Sequence, residues 1–329
     1  MQIKKLISMI PGAKAIRKKL LFRSEFKYDK SFFKNNYSHS SSTSRKTGYN
    51  MLLIAHSLEK GMSNQKPRRF GVEKTADLMS LIKKYELEGG DRESFEYVNA
   101  VNTLRSYANF YKENNWEHCG ELDKVEAFLR DYKNTPKMNA GRTTIKKSDF
   151  EKDASIDYKK FLASRHSVRE YSPKIVSEKD IRAAIDAAIL SPSACNRQMC
   201  KAYYIVDPEK RKKIIAMGQG FSGFNKSTIN PIVITFDVNA NYFIGERNQG
   251  WLNAGLFSMN LVNALHSRGI GSCFCQFGNT TTDERKIKSM LNIPDSERIA
   301  VIISCGYYCD ESIITHSPRR KVNDTYRRV

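Results

Sequence analysis

The sequence predicts a sheet domain of the α/β or α+β class, its strands interleaved with helices, preceded by an all-α extension. Three observations predict it. Residues 48–131 repeat apolar side chains at helical spacing. From residue 156 onward, helical stretches alternate with short β-branched runs, the pattern of a sheet domain rather than a bundle. Two polar stretches, 35–47 and 133–155, divide the chain at these changes of pattern. The expected organisation is a basic segment and Ser-rich linker over 1–47, a helical extension over 48–132, a linker over 133–155 and a sheet domain over 156–329.

The elements follow in order. Ile3, Leu6, Ile7 and Ile10 recur at three-and-four spacing, and Lys4, Lys5, Lys14, Arg17, Lys18, Lys19 and Arg23 fill the intervals. Residues 1–47 hold twelve Lys/Arg and only Glu25 and Asp29 as acids, so half of the net charge of +20 sits in this segment. Two readings stay open: a helix docked on the body of the protein with a solvated basic face, or a helix lying on an anionic membrane surface through residues 1–23. Nucleic acid is set aside, because no aromatic–basic interleaving or recognition motif is present. In the extension, Val72–Leu87, Phe95–Phe110 and 121–131 each place apolar residues on one helical face. Beyond it, helices are expected near 156–165, 177–191, 208–217, 249–268 and 282–292, and strands near 202–207, 231–237, 270–277 and 299–306. The helix over 249–268 is apolar on most sides, which suits a core or a subunit interface.

Composition narrows the class. With 40% hydrophobic and 11% aromatic residues the chain is too apolar to stay unfolded. Apolar runs of five residues are far short of the ~18 a membrane span needs, and charges before Arg23 leave no signal-peptide core. Seven cysteines without a C-x-x-C pair argue against a disulfide scaffold or structural zinc and fit reduced thiols in a cytoplasmic protein. His56 with Glu59, and His118 with Cys119, lack a third ligand at metal spacing, so capping or packing is their expected role.

Chemistry gathers in four short segments. Ser164-Arg165-His166-Ser167-Val168-Arg169 offers two guanidiniums and a hydroxyl, a set that suits a phosphate. Ser191-Pro192-Ser193-Ala194-Cys195-Asn196-Arg197-Gln198 is a Pro-pinned polar loop of the kind that hydrogen-bonds a ligand edge. Gly269-Ile270-Gly271-Ser272-Cys273 permits a tight turn at a helix-to-strand junction, but is no dinucleotide fingerprint. Ser317-Pro318-Arg319-Arg320-Lys321 is either part of a phosphate clamp or a solvated basic tail.

In this order and spacing, together with Asn292-Ile293-Pro294 and the strand Ile299–Cys305 closing on Gly306, these segments resemble the FMN-dependent nitroreductase family over residues 157–329. The helical extension, with His56-Ser57-Leu58-Glu59-Lys60-Gly61, is similar to that of nitroreductase-like proteins encoded among polysaccharide-biosynthesis genes. The resemblance implies an α+β fold, a mixed sheet flanked by helices, and an intertwined homodimer with FMN at its interface, reduced by NADH or NADPH and oxidised by a small acceptor such as a quinone, a nitro compound or a biosynthetic intermediate. It implies that Arg165, His166 and Ser167 hold the phosphate with Arg319 or Arg320, and that Arg169 lies near the flavin pyrimidine edge. Pro192, Ser193, Ala194 and Asn196 would reach the flavin of the other subunit. Asn225, with Lys226 as a weaker candidate, would bind the pyrimidine carbonyls, and the backbone near Gln276 would approach N5. No side-chain nucleophile or acid–base pair is required, since the flavin carries the redox chemistry. Met199-Cys200 departs from the Pro-Trp often found after the Gln. The alternative reading is a non-catalytic interaction module on the same fold, gripping a membrane or acidic partner through its basic extension.

Overall fold

The computed structural model describes residues 13–37, 42–64, 66–116, 120–144, 146, 156–221, 224–275, 277, 280–315, 317 and 319–329. The start of the expected basic helix, His118, Cys119 and Gln276 lie outside the described residues.

The first half of the chain is helical: α1 (Ala13–Asn36), α2 (Ser44–Met62), α3 (Val72–Leu87), α4 (Phe95–Glu113) and α5 (Gly120–Leu129). Short polar side chains start several of them. Thr43 accepts the Lys46 amide at the head of α2, and Ser94 accepts the Tyr97 amide at the head of α4. Met51, Ala55, Leu58 and Met62 on α2 pack with Leu78, Ile82, Tyr97, Leu104 and Val125 into a helical core. Tyr49 and Leu52, on another face of α2, enter the core of the sheet domain instead. The helix therefore belongs to both cores.

The second half runs α6 (Tyr158–Ser164), α7 (Glu178–Ile189), β1 (Cys200–Tyr204), α8 (Pro208–Met217), β2 (Asn230–Asp237), α9 (Gln249–Ser267), β3 (Ile270–Cys275), α10 (Thr281–Leu291), β4 (Glu297–Tyr307) and α11 (Val322–Thr325). The four strands pair antiparallel in the order β1-β2-β4-β3. A parallel bridge from Ser167 to Ser272 extends the pairing beyond β3 and makes the sheet mixed. Ile232, Ile234 and Phe236 face α7 and α9, whereas Val233 faces the core under α8 and α10. This is the period-two alternation of a sheet covered on both faces. A register shift between Ile234 and Thr235 lets Ile299 and Ile302, three residues apart, share a face. Gly250 opens α9 against the sheet; a Cβ there would fall 2.1 Å from the Phe236 ring.

The extension is tied to the sheet by charge. Asp237 and Glu297, at one end of β2 and β4, are both 0% exposed. Arg45 bonds to both, the Glu297 contact measuring 2.8 Å. Lys201 pairs with Glu297 at 2.9 Å, and Tyr203 and Thr235 donate to it at 2.9 and 2.6 Å. Tyr49 donates to Asp237 at 3.3 Å. Helix α2 thus begins inside the stretch expected to be linker, because Arg45 has buried carboxylates to neutralise. The second half of α1 docks too. Arg298 pairs with Asp29 at 2.9 Å and lies over the Tyr28 and Phe32 rings, while Glu25 accepts from the Thr281 amide at 3.1 Å. The first half carries Ile16, Leu20 and Phe22 exposed among Arg17, Lys18, Lys19 and Arg23.

Candidate functional site

Helix α6 ends at Arg165, where the backbone turns extended. The chain then lies along the edge of β3. The Val168 amide donates to the Ser272 carbonyl at 3.1 Å. Tyr171, buried beneath, donates to the Val168 carbonyl at 2.7 Å and meets the Ser304 hydroxyl at 2.7 Å. These bonds fix Arg165, His166 and Ser167 at one wall of a cavity of about 350 Å³, and Thr315, Ser317 and Arg319 of the C-terminal tail form the other. Thr315 and Ser317 share a hydrogen bond at 2.9 Å, and Arg319 donates to the Ser317 carbonyl. Arg320 is exposed and does not line the cavity.

Cys273, on β3, is acidified by its hydrogen bond with Cys275 and then by Arg169, Ser167 and Arg165. Burial, then Arg165 and His166, lower the His266 pKa and favour its neutral form. His266 bridges Ser164 and Tyr308 at 2.8 Å each, joining the end of α6 to the end of β4. Two guanidiniums, an imidazole and three hydroxyls around a small cavity form a donor set for a phosphate ester.

The loop after α7 forms a second feature. Cys195, Asn196 and Gln198 have φ of 50°, 51° and 47°, so three non-glycine residues occupy the left-handed region within four positions. Arg197 holds the loop in place. It is 1% exposed, pairs with both Glu246 oxygens at 2.9 and 2.6 Å and donates to the Ala194 carbonyl at 2.9 Å. Burial would raise the Glu246 pKa, but the Arg197 bond and the Tyr242 amide outweigh it and hold the carboxyl low. The Ser193 hydroxyl accepts the Gln198 amide at 3.0 Å. Pro192 and Ser193 line a cavity of about 270 Å³ with Phe95, Glu96, Met199 and Phe257. Ala194 and Asn196 do not line it, and Asn196 is exposed.

Asn225 stands on the exposed loop before β2, where its carbonyl oxygen accepts from the Ser227 hydroxyl at 2.7 Å. His56 and Glu59 meet at 3.4 Å, and Glu59 also accepts the Gly141 amide at 3.3 Å, a packing role. Among the described residues no three His, Cys, Asp or Glu side chains form a metal-holding group. Two larger grooves, of about 670 and 660 Å³, lie in the extension and contain none of the expected site residues. Sequence reasoning missed Phe95 and Glu96 as cavity walls and Arg197 as the loop's anchor. Nothing local marks the first two, whereas a lone Arg within a Pro-pinned loop was a signal for the third.

The sequence pattern of the nitroreductase family matches residues 162–218 and 231–307. The chain is 28% identical to a protein named as an NADH dehydrogenase/NAD(P)H nitroreductase from Archaeoglobus fulgidus, over 46% of this chain and 86% of the relative. It is 25% identical to a 4-nitrobenzoate reductase from Pseudomonas putida, over 50% of this chain and 90% of the relative. Among solved structures, a nitroreductase family protein from Streptococcus pneumoniae TIGR4 aligns at TM-score 0.45 with 24% identity, covering 53% of this chain and 100% of that one. The matched segments contain β1, β3, β4 and almost all of β2, the Arg165–Ser167 wall and the loop after α7; the C-terminal half of the chain therefore carries a nitroreductase-family domain, with a helical extension in front of it.

Proposed function

We propose that the chain is an FMN-dependent oxidoreductase that takes hydride from NADH or NADPH and passes it to a small-molecule acceptor, and that it works as a homodimer. The observation that carries this reading is the cavity uniting Arg165, His166, Ser167, Ser317 and Arg319 from segments some 150 residues apart. Its donors fit the phosphate of FMN. Arg165 and Arg319 give charge-assisted hydrogen bonds, and Ser167 and Ser317 add neutral donors that fix its orientation. Arg169, two residues beyond Ser167 and acting electrostatically on Cys273, adds positive charge that favours an anionic reduced ring. Asn225 keeps its amide nitrogen to offer a pyrimidine carbonyl. When bound, FMN supplies a ring that accepts and returns a hydride. For a quinone acceptor the balance is NAD(P)H, a proton and quinone giving NAD(P)⁺ and hydroquinone.

The dimer rests on α9. Its inner face packs on the sheet, but Leu252, Leu256 and Met259, at helical spacing, stay exposed, as do Trp251 and the neighbouring Ile189 and Leu190. A second copy covering this face would bring the strained loop of Pro192, Ser193, Ala194 and Asn196 to the partner's cofactor. A second reading, compatible with the first, concerns α1: its exposed Ile16, Leu20 and Phe22 among four cations suit an anionic membrane surface.

The absorption spectrum of the purified protein tests the main reading. A yellow protein, or one that turns yellow with added FMN and bleaches with NADH or NADPH, is expected. Protein that takes up no FMN at micromolar concentration overturns it in favour of an interaction module.

A further inference from the structure

The extension does more than cover the sheet domain: it supplies one wall of the cavity beside the loop after α7. Phe95 and Glu96 are the first two residues of α4. Their position is fixed, because Ser94 caps the helix and shares a 3.0 Å hydrogen bond with Tyr85. Gly48 on α2 makes room for Glu96, whose Cγ would lie 3.3 Å from a Cβ at that glycine. Opposite stand Ser193 and Met199 of the loop and Phe257 of α9. The only other charge among the lining residues is Arg197, and both Glu246 oxygens already occupy it. Glu96 therefore gives the cavity its sign. The walls are largely apolar. The Ser193 hydroxyl accepts from the Gln198 amide and keeps its own proton to donate.

We propose that this cavity is the acceptor pocket, that it takes a small neutral aromatic or quinoid compound, and that Glu96 excludes carboxylated ones. The proposal rests on the oxidoreductase reading above, which places the loop after α7 against the cofactor. A cavity of about 270 Å³ suits a single ring with small substituents. Phe95 offers a face for it, and Ser193 a donor for its nitro or carbonyl oxygen. A benzoate-type carboxylate would meet Glu96 in a partly dehydrated site, where like charges repel strongly. Specificity would then reside in a part of the chain that precedes the family domain.

Nitrobenzene and 4-nitrobenzoate, equal in ring and nitro group and different in charge, serve as the probes. Their binding to the full-length protein is read by ligand-observed NMR, and their turnover by NADH or NADPH oxidation. The wild type is expected to prefer nitrobenzene by about tenfold or more in both readouts. In Glu96→Gln the preference should shrink about tenfold through a gain for 4-nitrobenzoate, and in Glu96→Lys it should reverse. A preference unchanged within twofold in both variants overturns the assignment of the pocket. Binding preferences that respond as stated in a protein without turnover sustain the pocket and overturn the redox reading, so the two failures are distinct.

Discussion

Two cationic clusters in this molecule do opposite work. Arg45 is spent: its guanidinium bonds to Asp237 and Glu297, both fully buried, and with Lys201 it closes their charge. Arg165 and Arg319 face a cavity, and among the described residues the groups beside them are hydroxyls, an imidazole and a carbonyl rather than carboxylates. A cation whose partner is built into the fold holds the fold together. A cation left facing a cavity of 350 Å³ is open to a partner from outside the fold, as the proposed phosphate site requires. The first cluster joins the extension to the sheet, and the second joins two ends of the sheet domain around one site.

Removing Arg45 breaks the comparison on its structural side and should have the largest effect on folding. Arg45→Ala removes the guanidinium bonded to Asp237 and leaves Lys46 as the nearby cation, and breaking a buried pair in this way costs about 3 kcal/mol, the lower end of the range because Arg45 is itself partly exposed. Urea unfolding at neutral pH measures it, and a loss below 0.5 kcal/mol would show that water reaches the two acids. Glu297 adds a pH dependence. Burial would raise its pKa, but the Thr235 hydrogen bond and the Lys201 pair outweigh burial and lower it. Its contribution is therefore complete above the unfolded value of about 4.3 and is lost as pH falls through the depressed folded value. Lys201→Met weakens that depression, so acid unfolding should begin at higher pH than in the wild type.

Arg165→Ala tests the other side. Folding stability without FMN should change by no more than about 0.5 kcal/mol, since no internal carboxylate loses a partner. FMN affinity should fall by about 1.5–3 kcal/mol, the worth of a charge-assisted hydrogen bond. Isothermal titration with FMN at low and high salt reads it. An unchanged dissociation constant removes Arg165 from the site, whereas a large loss of stability in the apoprotein would move it into the same class as Arg45.

The two clusters also differ in how far the sequence reveals them. Ser164–Arg169 and Ser317–Lys321 carry their chemistry in local runs, so both were visible as phosphate-type segments, although only folding brings them to one cavity. The helices were legible for a similar reason: apolar spacing in 72–87 and 249–268 matches α3 and α9 almost to the residue. Strand β1 was expected at 202–207 and forms at Cys200–Tyr204, because its pairing with β2 starts at Cys200, while Asp207 is already the cap of α8. Arg45 was hidden in a Ser-rich stretch, and its acids lie 192 and 252 residues away. No periodicity reports a contact at that range. Phe95 and Glu96 only open a helical stretch in the sequence, since their cavity exists only once α4 stands beside the loop after α7.

The smallest change to the fold should come from the first half of α1, and it separates charge that docks from charge that does not. From Glu25 onward the helix is fastened to α10 and β4 through Glu25, Asp29 and Phe32. Before it, Arg17, Lys18, Lys19 and Arg23 stand exposed with Ile16, Leu20 and Phe22. Deleting residues 1–23 should therefore leave urea stability and FMN affinity unaltered, whereas deleting 1–47 would remove Arg45 and the docked half of α1 together and should cost more than Arg45→Ala alone. Each basic residue near an anionic surface contributes roughly 1 kcal/mol, an attraction that decays over about 8 Å at physiological salt. The full chain should cosediment with vesicles containing anionic lipid at low salt, dissociate at high salt, and lose binding on deletion of 1–23. Indifference of the full chain to such vesicles at low salt would end the membrane reading and leave the exposed half of α1 as a solvated basic arm.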